Sequence, residues 1–359
     1  MMTMEGLSKN EKLTLWGLVR YPTFNDRRLS QEIGLKMSTV TAIRNRLKRS
    51  GYFKTVRVPF MDRLGCELLV VCYNRLNVLK SKDEVMKILK DVLGATDDIF
   101  FALADPFQMI TFSFCKNYTD AWGDVEKGHQ LLSEKGALGQ RSPRDHMSIF
   151  SINQTKFFKF FNFSDILRRI FQLDVPAADF TISLKPDKAN SRALSRIEKR
   201  VYYGLVRYPE IVDNGVAKKI GVTRQSVTKI RKRFESEGIL STIRVPEFSK
   251  LGVEILAFAY YDFAPAATLS ARKKGIEWVV KELPSFFHIA GNQEGMLAGV
   301  AKNFQDLQRH LYLTSKLYLE KGFFRNEPRV LMLSVKDLAV LKDFNFAPLV
   351  KKILGVDED

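Results

Sequence analysis

Apolar residues three and four apart open the chain. Leu13, Leu15, Trp16, Leu18 and Val19 predict an amphipathic helix over residues 11–21, closed by Pro22. Leu29 and Ile33 predict a short second helix, with Asn25 or Asp26 as its cap and Gly34 as its break. A third helix is expected from a cap near Ser38 to about residue 50, with Val40, Ile43 and Leu47 inward and Gly51 at its end. Three helices with a tight turn between the last two make a helix-turn-helix unit. An extended segment at 53–59 and a strand at 67–73 follow. A helix at 81–93, strands at 99–104 and 109–114, a helix at 118–134 and a strand at 147–152 complete the pattern. That β-α-β-β-α-β order is the ferredoxin-like arrangement. Its sheet covers one face with helices and leaves the other to pack on a second sheet.

The whole pattern occurs twice. Residues 17–69 recur without a gap at 204–256, with 23 of the 53 positions identical. Gly17-Leu-Val-Arg-Tyr-Pro22 returns as Gly204-Leu-Val-Arg-Tyr-Pro209, and Thr55-Val-Arg-Val-Pro59 as Thr242-Ile-Arg-Val-Pro246. In the second copy helices are expected at about 195–208, 213–220 and 224–237, with Val227, Ile230 and Phe234 as the inward trio of the last. An extended segment at 240–246, strands at 254–261, 286–290, 296–301 and 329–333, and helices at 271–283 and 304–321 follow. A repeat this long is a duplicated domain rather than a solenoid. The domains predicted are 1–60 and 192–247 as helix-turn-helix heads, 61–173 and 248–359 as α/β bodies, and 174–191 as a linker. The fold class is therefore α+β: two heads, each followed by a ferredoxin-like body, joined as an intramolecular pseudo-dimer. Each copy ends in aromatics, Phe157, Phe158, Phe160, Phe161 and Phe163 in one and Phe344 and Phe346 in the other, before a short amphipathic helix at 165–171 or 348–354. Two readings of these tails stand. The aromatics seal a sheet edge or the contact between copies, or the helices bind a partner.

Charge adds a direction. The chain carries a formal net charge of +17. Residues 1–60 hold 12 Lys/Arg against 4 Asp/Glu, and residues 192–247 hold 13 against 6. The surplus thus sits on the two heads, which points to a polyanionic partner. The three cysteines show no C-x-x-C spacing, and His129, His146, His288 and His310 are isolated, so no metal and no cofactor is expected. The start is not a signal peptide, and the most apolar run, 253–263, contains Glu254 and is too short to span a bilayer. The reading is a cytoplasmic protein in a reducing compartment, away from membranes.

Each copy resembles regulators of the leucine-responsive/AsnC (feast-famine) family. The resemblance rests on Leu29-Ser-Gln-Glu-Ile-Gly34, Ser38-Thr-Val-Thr41, Arg46-Leu47, Gly51 and Leu64-Gly65 in the first copy. In the second it rests on Val216-Ala-Lys-Lys-Ile-Gly221, Arg224-Gln-Ser-Val-Thr228, Arg233-Phe234, Glu237-Gly-Ile-Leu240 and Leu251-Gly252. Over the bodies it rests on element order. It implies a winged-helix-type DNA-binding domain, an α/β effector domain, and dimers built through face-to-face sheets. Family members usually carry one copy per chain, and the aromatic tails are not part of their pattern.

On this reading the partner is double-stranded DNA, with each third helix in a major groove and half-site centres about one helical turn, or a multiple of it, apart. Lys36, Ser38, Thr39, Thr41, Asn45, Arg46 and Arg49 are the candidates in the first head. Arg224, Gln225, Ser226, Thr228, Lys229, Lys232 and Arg233 are those in the second. Hydroxyls and amides suit base edges, and Lys and Arg suit phosphates or guanine. Arg57 and Arg244 are expected on the DNA backbone, whereas Arg44 and Arg231 flank the inward stripe and pair internally. Because the reading helices differ, the expected site is an imperfect palindrome. The resemblance also implies an amino-acid-like effector near the turns holding Asp105 and Gln108, and Gly291, Asn292 and Gly295. A homodimer or a partner from the transcription machinery is expected through the terminal helices. Some relatives are decarboxylases of sirohaem-type tetrapyrroles, marked by a His-Asn-Tyr motif and further histidines. Here the matching strands read Phe100-Phe-Ala-Leu-Ala104 and Phe286-Phe-His-Ile-Ala290, leaving His288 alone. The expectation is a regulator without catalytic residues, not an enzyme.

Overall fold

The computed structural model describes residues 6–139, 146–177 and 193–356. Most of the expected linker, residues 178–191, lies outside them.

The first head comprises α1 (Lys9–Arg20), α2 (Asp26–Ile33) and α3 (Met37–Arg49). Ser8 starts α1 through a reciprocal capping box with Glu11, and the Asn25 side chain caps α2 by accepting from Arg28 N. Gly34, at φ +69°, makes the left-handed turn that a Cβ would disfavour and frees α3 to cross α2. The expected cap at Ser38 is corrected: the N-cap is Lys36, two residues earlier, and it supplies no side-chain bond. β1 (Phe53–Pro59) follows. The first body comprises β2 (Leu68–Arg75), α4 (Lys82–Gly94), β3 (Ile99–Ala104), β4 (Gln108–Cys115), α5 (Tyr118–Glu134) and β5 (His146–Ser151). β6 (Lys156–Lys159) and α6 (Ser164–Ile170) end the first copy.

The second head is α7 (Arg196–Arg207), α8 (Asp213–Ile220) and α9 (Arg224–Ser236), followed by β7 (Leu240–Pro246). The second body is β8 (Ile255–Asp262), α10 (Lys273–Glu282), β9 (Ser285–Ala290), β10 (Glu294–Ala301), α11 (Phe304–Leu319) and β11 (Arg329–Ser334). β12 (Ala339–Lys342) and α12 (Ala347–Leu354) close the chain. Gly17 and Gly204 hold the same place in the two heads. A Cβ on either would stand 2.8 Å from Cγ2 of Ile33 or Ile220, so only glycine lets the first and second helices pack this closely.

The copies exchange parts. One compact unit joins Met1–Val56 to Thr155–Leu184 and Thr242–Lys336, so the first head shares a unit with the second body. The other joins Arg57–Gln154 to Lys185–Ser241 and Asp337–Asp359, uniting the second head with the first body. Order along the chain, head followed by its own body, does not predict this. β1 and β7 carry the chain across. In the first unit Glu247 N donates to Tyr52 O at 3.0 Å, and in the second Phe60 N donates to Ile239 O at 3.1 Å.

The tails take part in the exchange. In the second unit the sheet order is β12-β3-β4-β2-β5, antiparallel throughout, with β12 from the end of the chain as its outer strand. In the first unit the order is β11-β8-β10-β9-β6, with β6 from the first copy paired to β9. Phe163 stacks on Phe286, with ring centroids 5.2 Å apart, and Phe344 and Phe346 stack on Phe101 and Phe100 at 4.3 and 4.5 Å. The aromatics therefore anchor an added strand. The helices that follow are buried by their own units. α6 packs on α1 with Ile166 and Leu167 both fully buried, and α12 packs on α7 with Leu349 and Val350 buried. The expectation that these helices offer a partner surface is corrected, because their apolar faces are already used.

Candidate nucleic-acid interface

Each head is closed by a small core. Leu15, Leu18, Leu29, Ile33, Val40, Ile43 and Leu47 are buried in the first. In the second, Tyr202 and Phe234 stand at the positions of Leu15 and Leu47, and their rings meet edge-on with centroids 5.3 Å apart.

A carboxylate then fixes the third helix on the second. Asp26, at the start of α2, accepts from the Thr41 hydroxyl at 2.6 Å and from Arg44 at 2.5 Å. Asp213, at the start of α8, accepts from Thr228 at 2.8 Å and from Arg231 at 2.9 Å. Burial opposes ionisation of Asp213, but the hydrogen bonds from Arg231 and Thr228 prevail and hold its carboxyl below the ordinary range. The internal pairing expected of Arg44 and Arg231 is what the geometry shows. Thr41, a DNA-binding candidate, and Thr228, expected on base edges, are corrected to parts of this lock.

A second tie joins the third helix to the first. Arg46 pairs with Glu11 and Arg233 with Glu198, the two glutamates that also close the capping boxes. For Glu198, burial raises the carboxyl, and hydrogen bonds from Ser195 and Arg233 more than reverse it. Arg46 and Arg233 thus have structural duties, with side chains 56% and 36% exposed beyond them.

The arginines expected on the DNA backbone are engaged inside the protein. Arg57 is largely buried and donates to Glu235 at 2.7 Å, and Glu235 also pairs with Arg231. Burial pulls the Arg57 guanidinium below its usual pKa, against the pull of Glu235. Arg244 donates to Leu18 O at 2.9 Å and lies over the Phe53 ring. Each arginine lies just past the point where its strand enters a unit, and each is bonded within that unit.

An outward stripe remains on each third helix. In α3 it is Ser38, Ala42, Asn45 and Arg49, and in α9 it is Gln225, Lys229, Lys232 and Ser236. These are the same four positions of the repeat, at spacings of four, three and four, so they lie along one helix face. All eight residues are exposed, and the residues differ at every position. Lys36, Met37, Arg224 and Lys48 are exposed around them. Thr39 is half-buried, and so is Ser226, whose backbone N–H and hydroxyl both bond Thr223 as the cap of α9. Ala42, Met37 and Lys48 were missed as candidates. Helical spacing from Ser38 would have found Ala42.

The turns expected to hold an effector are occupied by the fold. The Asp105 carboxylate is buried and accepts from Phe107 N at 2.8 Å, Gln108 N at 3.1 Å and Gln108 Nε2 at 3.3 Å, a self-contained turn. The carbonyls of Gly291 and Asn292 receive the buried Arg272 guanidinium, and Asn292 Oδ1 accepts from Leu269 N at 3.3 Å. A Cβ at Gly295 would stand 3.0 Å from Ile289 O, so this glycine serves strand packing. The polar groups named at these turns are thus bonded within the fold itself. His288 is 5% exposed, and burial, with Lys159 and Arg272 nearby, pushes its imidazole down to about 3. It is a neutral packed residue.

No family model matches the chain, and no curated protein matches it. Among solved structures it is similar to the siroheme decarboxylase NirDL, at 10% identity and a TM-score of 0.52 over 97% of this chain and 99% of that one. It is similar also to NirDL in complex with an iron-uroporphyrin III analogue, at 11% identity and a TM-score of 0.51 over 96% and 98% of the two chains. AsnC of E. coli aligns with 40% of this chain and 93% of its own, at 12% identity and a TM-score of 0.31. Among the described residues no helix is long and apolar enough to cross a membrane. The α+β class with two heads and two ferredoxin-like bodies stands, shared end to end with NirDL. The expectation that the chain is not an enzyme is overturned by the same finding, because an enzyme has this fold over its full length.

Proposed function

We propose that the chain binds double-stranded DNA through α3 and α9 and regulates transcription from the sites it occupies. The observation that carries this reading is the pair of exposed stripes at equivalent positions, with Asn45 and Arg49 on one and Gln225, Lys229 and Lys232 on the other. The local charge surplus of both heads supports it. Asp26 and Asp213 support it as well, since they fix the third helix and so pre-organise its outer face. Asn and Gln amides suit adenine edges, and Arg and Lys suit guanine or phosphate. The unlike stripes predict unlike half-sites. Selection of bound duplexes from a random pool tests this: two different half-site sequences are expected, and recovery of no enriched sequence contradicts it.

A second reading has the full-length likeness to NirDL in its favour. On that reading the bodies decarboxylate siroheme. Incubation of the purified chain with siroheme, followed by mass spectrometry, tests it: loss of carbon dioxide from the macrocycle supports the reading and an unchanged macrocycle contradicts it.

A further inference from the structure

In the first body the layer between the sheet and its helices α4 and α5 is packed by Val85, Leu89, Leu93 and Leu132 but is not completely filled. A chamber of about 80 Å³ lies there, walled by β2 and β4 on one side and by both helices on the other. Asp98, Asp124, Thr96 and Gly128 line both this chamber and a wider cleft of about 400 Å³, which opens it outward.

The second body shows what the layer looks like when it is filled. Strand register matches the pair Cys72–Thr111 to Ala259–Leu297, and Asn74–Met109 to Tyr261–Gly295. There Tyr261, Leu297 and Tyr318 pack together and leave about 30 Å³. The first body carries Asn74 and Thr111 where the second carries Tyr261 and Leu297.

Asn74 and Thr111 are only 7% and 5% exposed, and both face the chamber. Among the described residues neither side chain has a hydrogen-bond partner. Their polar groups are left to bond water or a ligand that enters the chamber. The cleft is mixed in charge, with Lys127, Lys135 and Lys352 among its carboxylates, whereas the chamber itself carries Asp98 and Asp124 beside His129. Asp98, just before β3, and Asp124, on α5, both line the chamber, and no Lys or Arg lines it. Lys352 of α12 holds Asp98 from the cleft side at 3.1 Å. The Asp124 carboxyl, desolvated and hydrogen-bonded to Asp98, is pushed up to about 6.

We propose that this chamber binds a small organic ammonium ion, its charged head between Asp98 and Asp124 and its short body beside Asn74 and Thr111. The space suits a chain of about four heavy atoms. The site goes beyond DNA binding, and its test does not depend on DNA. Calorimetric titration of the full chain with n-butylamine, with butyrate and 1-butanol as controls, reads it directly. Saturable binding of n-butylamine alone is expected. No binding of n-butylamine overturns the proposal, and so does equal or tighter binding of either control. Thr111→Leu installs the residue of the second body and is expected to weaken binding at least tenfold while the melting temperature holds. Asp124→Asn, on a half-buried helical site, is expected to weaken it at least tenfold as well. Binding of n-butylamine that both variants leave unchanged overturns the proposal.

Discussion

Arg57 separates two accounts of the same residue. In sequence it belongs to a basic head and is expected on a phosphate; in the structure its guanidinium lies 2.7 Å from Glu235 with 14% of the side chain exposed. Arg57→Ala removes a charge-assisted hydrogen bond and leaves Glu235 with Arg231 as its remaining partner. Losing one arm of a buried pair costs about 3–5 kcal/mol when the other charge is stranded. Because Arg231 remains, a loss of about 2 kcal/mol is the closer figure, that of one hydrogen bond to a charged group. That corresponds to about thirtyfold less protection of amides that open with this network. Hydrogen exchange followed by mass spectrometry is the assay, read over α8 and α9. Arg49→Ala is the reference, an exposed side chain of the outward stripe. It is expected to leave exchange unchanged and to lower the slope of log affinity against log salt by about 0.9, the signature of one phosphate contact. If Arg57→Ala leaves exchange over α8 and α9 unchanged and flattens the salt slope as Arg49→Ala does, the structural role assigned to Arg57 is wrong.

Further outcomes follow from the same packing. Gly17→Ala or Gly204→Ala places a methyl 2.8 Å from an isoleucine and should destabilise its head by about 1–3 kcal/mol, read by urea denaturation. Leu167→Ala, at a fully buried position of α6, should cost about 2–5 kcal/mol and raise exchange in α1, whereas a partner-binding helix would leave both untouched. The Asp124 carboxyl is raised to about 6 in the folded chain, so the folded state holds its proton more tightly than the unfolded state does. That contribution is present at low pH and is lost as pH rises from about 4 to about 6. Asp124→Asn should remove this fall from a plot of urea midpoint against pH.

The heads were legible because their periodicity is local. Val40, Ile43 and Leu47 are inward in the repeat and buried in the fold, and α5 spans the residues its pattern marks. The start of α3 was misplaced because Ser38 is a good capping residue and Lys36 is not, yet the turn at Gly34 sets the start. The exchange of parts was not legible. Two near-equivalent copies present the same apolar faces, and nothing local states which copy satisfies which. Arg57 and Arg244 were misread for that reason, and the two readings of the tails stayed open for it, since the partners are distant in sequence. The chamber was hidden as well: Asn74 and Thr111 sit in strand patterns that read the same whether the layer above them is filled or open. The exclusion of enzymes failed because it rested on a missing motif, and one fold serves both chemistry and binding.

The most direct test of the central claim is duplex-DNA affinity measured by fluorescence anisotropy across a salt series. The native chain is compared with a variant carrying Asn45→Glu, Arg49→Glu, Lys229→Glu and Lys232→Glu. All four positions are exposed, so the variant should melt at the native temperature. The native chain should bind tightly at low salt and lose affinity steeply as salt rises, and the variant should bind at least hundredfold more weakly. Equal affinity of the two proteins, or no binding by the native chain at low salt, would contradict the assignment of α3 and α9 as DNA-reading helices.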